Sequence, residues 1–177
     1  MSDLPPVRRI VTTHDASGRA IVMHDAPAEP VVGKAGTRWP IWTTDGSPAH
    51  CSTEEDMAQR MGSLHPAPAG SHVRVVDFPP YDPARVPQDN GFFIRMSHLE
   101  TEAAKARPSR HPLMHRTRTV DYAIILSGEI DMLLDEESVT CRVGDIIVQQ
   151  ATNHAWINRG TVPCRIAFIL LDAEDPL

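Results

Sequence analysis

The feature that most limits the fold is a dense series of short strand signals in the last third of the chain, separated by turn residues and free of any helical period. Residues 122–126 form a nearly continuous apolar run, and Ile130, Met132 and Leu134 alternate with polar neighbours. Val139, Cys141 and Val143 alternate again after Asp135, Glu136, Glu137 and Ser138, and Gly144 with Asp145 turns the chain into Ile146, Ile147 and Val148. Residues 165–171 are a last apolar strand. Alternation with period two marks a strand with one buried face. Short strands at close spacing, without a long amphipathic helix, define an all-β sandwich or barrel. The 16 prolines and 10 glycines of the 177 residues, spread between the apolar runs, suit that turn-rich architecture better than a helical bundle.

Upstream the signals are sparser. Residues 7–13 and 19–23 flank a turn-rich segment and predict a hairpin. Residues 38–44 predict a further strand, which Pro40 assigns to an edge or an end because proline lacks a ladder donor. Residues 45–70 read mainly as loop, with a short helix over 53–61 capped by Ser52 or Thr53. Residues 72–78 and 92–98 predict two more strands, and the polar stretch 99–111 a loop.

Bulk properties bound the function. One domain with a substantial core fits this length. A formal charge of −6 with no run of Lys or Arg argues against nucleic acid as a partner. No apolar run reaches the length of a membrane helix, and residues 1–6 lack the charged and apolar regions of a signal peptide, so the expectation is a cytoplasmic protein with no membrane contact. Three cysteines, Cys51, Cys141 and Cys164, without a paired spacing, read as small buried residues.

Two segments carry chemistry. His115, Thr117, Asp121 and Gly128 stand at the spacing H-x-H-x3-E-x6-G with two substitutions, and residues 144–158 contain His154 and Asn158 as H-x3-N, with Ala151 at a glycine position and Gln149 at a proline position. In this order the two segments resemble the paired motifs of the cupin superfamily. The resemblance covers residues 70–172 and implies a double-stranded β-helix, the jelly-roll barrel. It divides the chain into an extension of strands and loop at 1–70, packing on the barrel or on a partner subunit, and a barrel at 71–177. Strands without partners in the motif region imply a homodimer.

The resemblance also implies that His115, Asp121 and His154 point into one cavity as ligands of a divalent ion, Zn, Fe, Mn or Ni, with Thr117 replacing the usual second histidine. A hydroxyl is a poor substitute for imidazole, so the set is reduced to two nitrogens and a carboxylate. Ligands of one ion require the rings of His115 and His154 to converge within about 8 Å. Other readings stay open: each histidine as a hydrogen-bonded interior residue, and Asp121 as the partner of Arg95, Arg116 or Arg118. Arg116 and Arg118 should alternate outward. His111 is placed to supply the missing nitrogen or to sit at the mouth, Arg95 and His98 to contact substrate, and Trp156 and Trp39 to line the cavity or pack the core. Asn158 and Gly160 shape a turn. Histidines 14, 24, 50, 65 and 72 read as surface or loop residues.

Such a site suits an enzyme acting on a small oxygenated organic compound. Its reaction would be that of a metal-assisted lyase, hydratase or decarboxylase, or of a dioxygenase. The alternative is a metal-free cupin pocket serving as a ligand-binding or regulatory module without catalysis.

Overall fold

The computed structural model describes residues 4–33, 36–51, 54–86 and 110–176. The predicted strand at 92–98, with Arg95 and His98, lies outside the described residues, as do Ser52 and Thr53. The architecture is the expected all-β barrel of two antiparallel sheets. Strands β1 (Arg8–His14) and β2 (Ala20–Pro27) form the predicted hairpin. Strands β3 (Val31–Gly33), β4 (Gly36–Thr44), β5 (Ser71–Phe78), β6 (Thr119–Ser127), β9 (Ile146–Gln150) and β11 (Cys164–Asp172) make one sheet in the order β3-β4-β5-β11-β6-β9. Strands β7 (Glu129–Leu133), β8 (Ser138–Arg142) and β10 (Ala155–Ile157) make the second, in the order β10-β7-β8.

The sheets close on a core of Ala123, Ile125, Ile130, Met132, Cys141, Trp156, Cys164, Ile166, Phe168 and Leu170. Gly128 makes the β6–β7 turn possible. Its φ of +74° lies in the left-handed region, and a Cβ there would stand 2.7 Å from the Pro163 carbonyl oxygen. The outer face of the large sheet is covered too: Trp39 and Val75 pack with Ala28, Val7, Ile41 and Ala167. Arg9, 5% exposed, reaches from β1 to Asp56 in a bidentate pair at 2.5 and 2.6 Å and fixes the hairpin to the segment after β4.

Pro40 stands, as expected, where β4 has no outer partner among the described residues, because β3 pairs only with residues 36–38; it also adjoins a bulge, where the register shifts between Pro40 and Trp42. Two expectations are corrected. The helix expected over 53–61 is a 3-10 turn at Met57–Arg60, capped by Asp56, whose carboxylate accepts from the Ala58 N–H at 3.1 Å. Cys51 is exposed, whereas Cys141 and Cys164 are buried as expected. Among the described residues, no helix is long and apolar enough to cross a membrane.

Candidate functional site

The register of the large sheet assembles the site. Thr43, His72, Leu170, Asp121 and Gln149 are successive cross-strand partners on β4, β5, β11, β6 and β9, so their side chains form one row on the barrel's inner face. Every member of the row is at most 6% exposed. The neighbouring inner row brings Arg74, Phe168, Ala123 and Ile147 together. One end of the cavity is therefore polar, and the other is the hydrocarbon core.

His115 and His154 close this polar end. They face each other as an isolated antiparallel bridge, exchanging both backbone hydrogen bonds at 2.9 Å, and their rings stand 4.5 Å apart between centroids. The structure thus brings the two motif histidines together. His115 Nδ1 lies 2.9 Å from the Leu113 carbonyl oxygen. A carbonyl only accepts, so Nδ1 carries the proton and Nε2 is the basic nitrogen. His154 Nδ1 sits between the Gln149 amide nitrogen at 3.0 Å and the Thr152 carbonyl at 2.9 Å, so it accepts from one or donates to the other according to tautomer. Burial holds both rings neutral: the pKa of His115 falls to about 3 and that of His154 to about 4. The neighbouring His154 lowers His115 further.

Asp121, 5% exposed, has the opposite shift. Burial raises its pKa to about 6, against the smaller opposing effects of the Thr119 hydroxyl and the Arg74 charge. Its Oδ1 is buried without a hydrogen-bond partner. Thr117, 1% exposed, accepts from the Thr119 hydroxyl at 2.8 Å. Asp121 thus belongs to the same inner wall as the histidines, but among the described residues no three His, Cys, Asp or Glu side chains gather closely enough to hold a metal ion. As they stand, these residues offer the nitrogen pair of a metal site without its third ligand.

The remaining candidates are placed as follows. His111 is turned away: its Nε2 contacts the Tyr81 hydroxyl at 3.0 Å and its Nδ1 accepts from the Leu113 N–H at 3.1 Å. Trp156 meets the His154 ring edge-on at 6.2 Å and packs on Phe168, so it is both core and site wall. Trp39 lies on the outer face instead. Arg116 and Arg118 face outward to Asp175 and Asp172. Asn158 builds its turn, donating to the Phe78 and Val162 carbonyls and accepting from the Gly160 N–H.

His72 corrects an expectation. It is 4% exposed on β5, and burial lowers its pKa to about 4. Arg74 and Thr119 are equally unmarked by motif, whereas Gln149 stands at the proline position of the second motif. The available signal was alternation: His72 and Arg74 share a strand face, and so do Thr119 and Asp121. Ala151 and Gln149 show what the second motif's substitutions do. Ala151 has a φ of +51°, the conformation for which the motif carries glycine, and Gln149 braces the histidine loop by accepting from the Thr152 N–H at 3.2 Å.

No protein-family model matches the chain. The two-sheet antiparallel barrel and the paired histidine motifs nevertheless define a class, and the relatives share it: the chain belongs to the cupin superfamily. A 66-residue stretch is 42% identical to a cupin-domain-containing oxidoreductase of Neurospora crassa, covering 35% of this chain and 34% of the relative. Over nearly the whole chain there is similarity to a cupin-domain-containing oxidoreductase of Aspergillus ruber, 29% identical over 99% of this chain and 77% of its own length, and to biosynthesis-cluster proteins. Phomopsin biosynthesis cluster protein C′ of Diaporthe leptostromiformis is 31% identical over 97% of this chain and 82% of its own length. Oryzines biosynthesis cluster protein J of Aspergillus oryzae is 30% identical over 97% of this chain and 86% of its own length.

Proposed function

We propose that this protein is a cupin-type enzyme of secondary metabolism that moves a proton on a small oxygenated organic compound, as a lyase, hydratase or decarboxylase. Asp121 is the general acid/base, and the neutral imidazoles of His115 and His154 orient and polarise the reacting group. The observation that carries this reading is the buried Asp121 carboxyl, with one oxygen lacking a partner and a pKa of about 6. A proton-transfer group works best with a pKa close to the ambient pH, and an unsatisfied buried oxygen is retained against a cost of about 1–3 kcal/mol. The names of the biosynthesis-cluster relatives support the metabolic setting.

The test is turnover of a panel of 3-oxo acids and hydroxy acids followed by mass spectrometry. Asp121→Asn should lower kcat by about 100-fold or more, because asparagine keeps the shape and loses the proton. An Asn variant as active as the wild type would sink the assignment. A protein that binds panel members without converting them would be the binding module instead.

A second reading, a divalent ion on His115, His154 and Asp121, is favoured by one specific observation. Ligating imidazoles are commonly oriented by a carbonyl at their other nitrogen, as Leu113 and Thr152 stand here. The third ligand has to come from movement of Asp121. Elemental analysis of protein purified without a metal-affinity tag decides it. Stoichiometric Zn, Fe, Mn or Ni, lost together with activity in His154→Ala, would establish this reading, and indifference to chelator would remove it.

The assembly state belongs to the same proposal. Tyr122, Ile146, Val148 and Leu171 are 38–65% exposed on the outer face of β6, β9 and β11, which suits a homodimer. Sedimentation at micromolar concentration should give twice the chain mass, and a monomer would remove the dimer from the reading.

A further inference from the structure

The buried arginines of this fold differ in one respect. Arg9 is satisfied by Asp56 and Arg165 by Asp77, each through two hydrogen bonds. Arg74, 8% exposed in the inner row beside Asp121, has no such partner: its Nε makes no hydrogen bond, and its Nη1 reaches only the Leu64 carbonyl at 3.5 Å. Among the described residues it forms no ion pair within 4.0 Å, with Asp121 or any other carboxylate. Arg38 repeats the pattern two residues along the same face of the sheet, opposite Val76, with its Nε also buried and without a partner. A buried guanidinium without a counter-charge is costly, and the fold pairs its arginines elsewhere.

Two guanidinium groups, Arg74 and Arg38, lie on the inner face of the sheet that carries the Asp121 carboxylate, so the balance of that face favours one further negative charge. The Nε edge of Arg74, buried and without a hydrogen-bond partner, forms with an adjacent Nη the fork that accepts a carboxylate in two parallel bonds. A pocket of about 320 Å³ between the end of β4 and residues 57–67 opens beside His72, the inner-face neighbour of Arg74 on β5, and beside Ser63 and His65, which flank the Leu64 whose carbonyl Arg74 touches. Thr43 and His72 place this pocket at the end of the inner row that runs through Leu170 to Asp121.

We propose that Arg74, assisted by Arg38, is the anchor for a single carboxylate of the ligand, which makes the molecule handled beside Asp121 a small organic monoacid. This inference rests on the enzyme reading above and supplies its substrate class. It makes Arg74 a specificity-determining residue, holding the acid while its reacting carbon lies toward Asp121 and the histidines.

The probes are benzoate and isobutyrate against their uncharged amides, benzamide and isobutyramide, with sulfate as a non-carboxylate anion. Binding to the full chain is followed by calorimetry and by thermal shift. At least one acid should bind about tenfold or more tightly than its amide, and Arg74→Gln should erase that preference, with a smaller loss for Arg38→Gln. The unliganded Arg74→Gln protein should melt no lower than the wild type, because an unpaired buried charge has been removed; a merely structural arginine would give a clear drop. Acid and amide binding alike, no acid binding up to about 10 mM, sulfate binding as well as the carboxylates, or an unaffected Arg74→Gln protein would each overturn the assignment. Asp121→Asn separates the two readings, since it should keep or tighten carboxylate binding whether or not the wild type turns anything over. Binding without turnover removes the enzyme reading alone, and turnover indifferent to Arg74 removes the anchor alone.

Discussion

Acidification from pH 6 to about pH 4.5 should strongly destabilise this protein, with stability falling by about 2–3 kcal/mol for each pH unit. The cause is the set of neutral histidines inside the barrel. Burial depresses His72 and His154 to about 4 and His115 to about 3, whereas unfolding returns each to about 6.5. Below that value the unfolded chain takes up three protons that the folded chain refuses. Asp121 acts in the other direction. Its raised pKa of about 6 lets the folded state hold a proton that the unfolded state releases. The unfolded state is left ahead by about two protons between pH 6 and pH 4. Histidine-linked stability is therefore complete above about pH 6.5 and lost as the pH falls toward 4. A domain of this kind has about 5–15 kcal/mol in all, so a drop of 1.5 to 2 units removes a large part of it. Melting curves from pH 7 to pH 4 measure the slope, and His72→Gln should reduce it by about half. A melting temperature that stays level between pH 6.5 and pH 4.5 would show that these rings are not held neutral.

The same residues explain how much of the site was legible beforehand. His115 and His154 are legible because both fall in spaced motifs, and the structure joins them in one backbone bridge. Asp121 stands at the carboxylate position of the first motif, and strand parity agrees with its facing inward. His72 and Arg74 were obscured by the rule that apolar residues point inward. On β5 Val73, Val75 and Asp77 face out, where Val75 packs beneath Trp39 and Ala28, while His72 and Arg74 share the inner face with Val76 and Phe78. A sheet covered on both sides gives alternation that marks two environments without telling which is the interior. On β9 the inversion goes further: Ile146 and Val148 are 65% and 52% exposed while Gln149 is 2% exposed. The hairpin β1–β2 and the Gly144–Asp145 turn before β9 are visible from local chemistry alone. The pairing of β4 with both β3 and β5 is not, since it depends on contacts across the sheet that no local pattern records.

Replacing Asp77 with alanine should cost about 3–5 kcal/mol, the largest loss expected from any single substitution outside the cavity. Asp77 is 1% exposed on the outer face of β5, and three donors converge on it. Arg165, its cross-strand partner on β11, donates from Nε at 2.6 Å and from Nη2 at 2.8 Å, and Trp39 on β4 donates its indole N–H at 2.9 Å. One carboxylate thus joins three adjacent strands, while the Arg165 guanidinium lies 5.9 Å from the Trp39 ring centre. Alanine would leave a nearly buried cation and an indole donor without their acceptor, and that penalty exceeds the modest net worth of the intact pair. For a chain of this size the loss corresponds to a fall of about 6–20 °C in Tm. Converting both partners, Asp77→Leu with Arg165→Met, should recover most of it, because the buried charges disappear together. The pair lies on the opposite face of the sheet from Arg74 and Asp121, so carboxylate binding should persist in the double variant at temperatures where it is folded. A single Asp77→Ala protein melting within about 2 °C of the wild type would mean that Arg165 finds water or another partner at no cost.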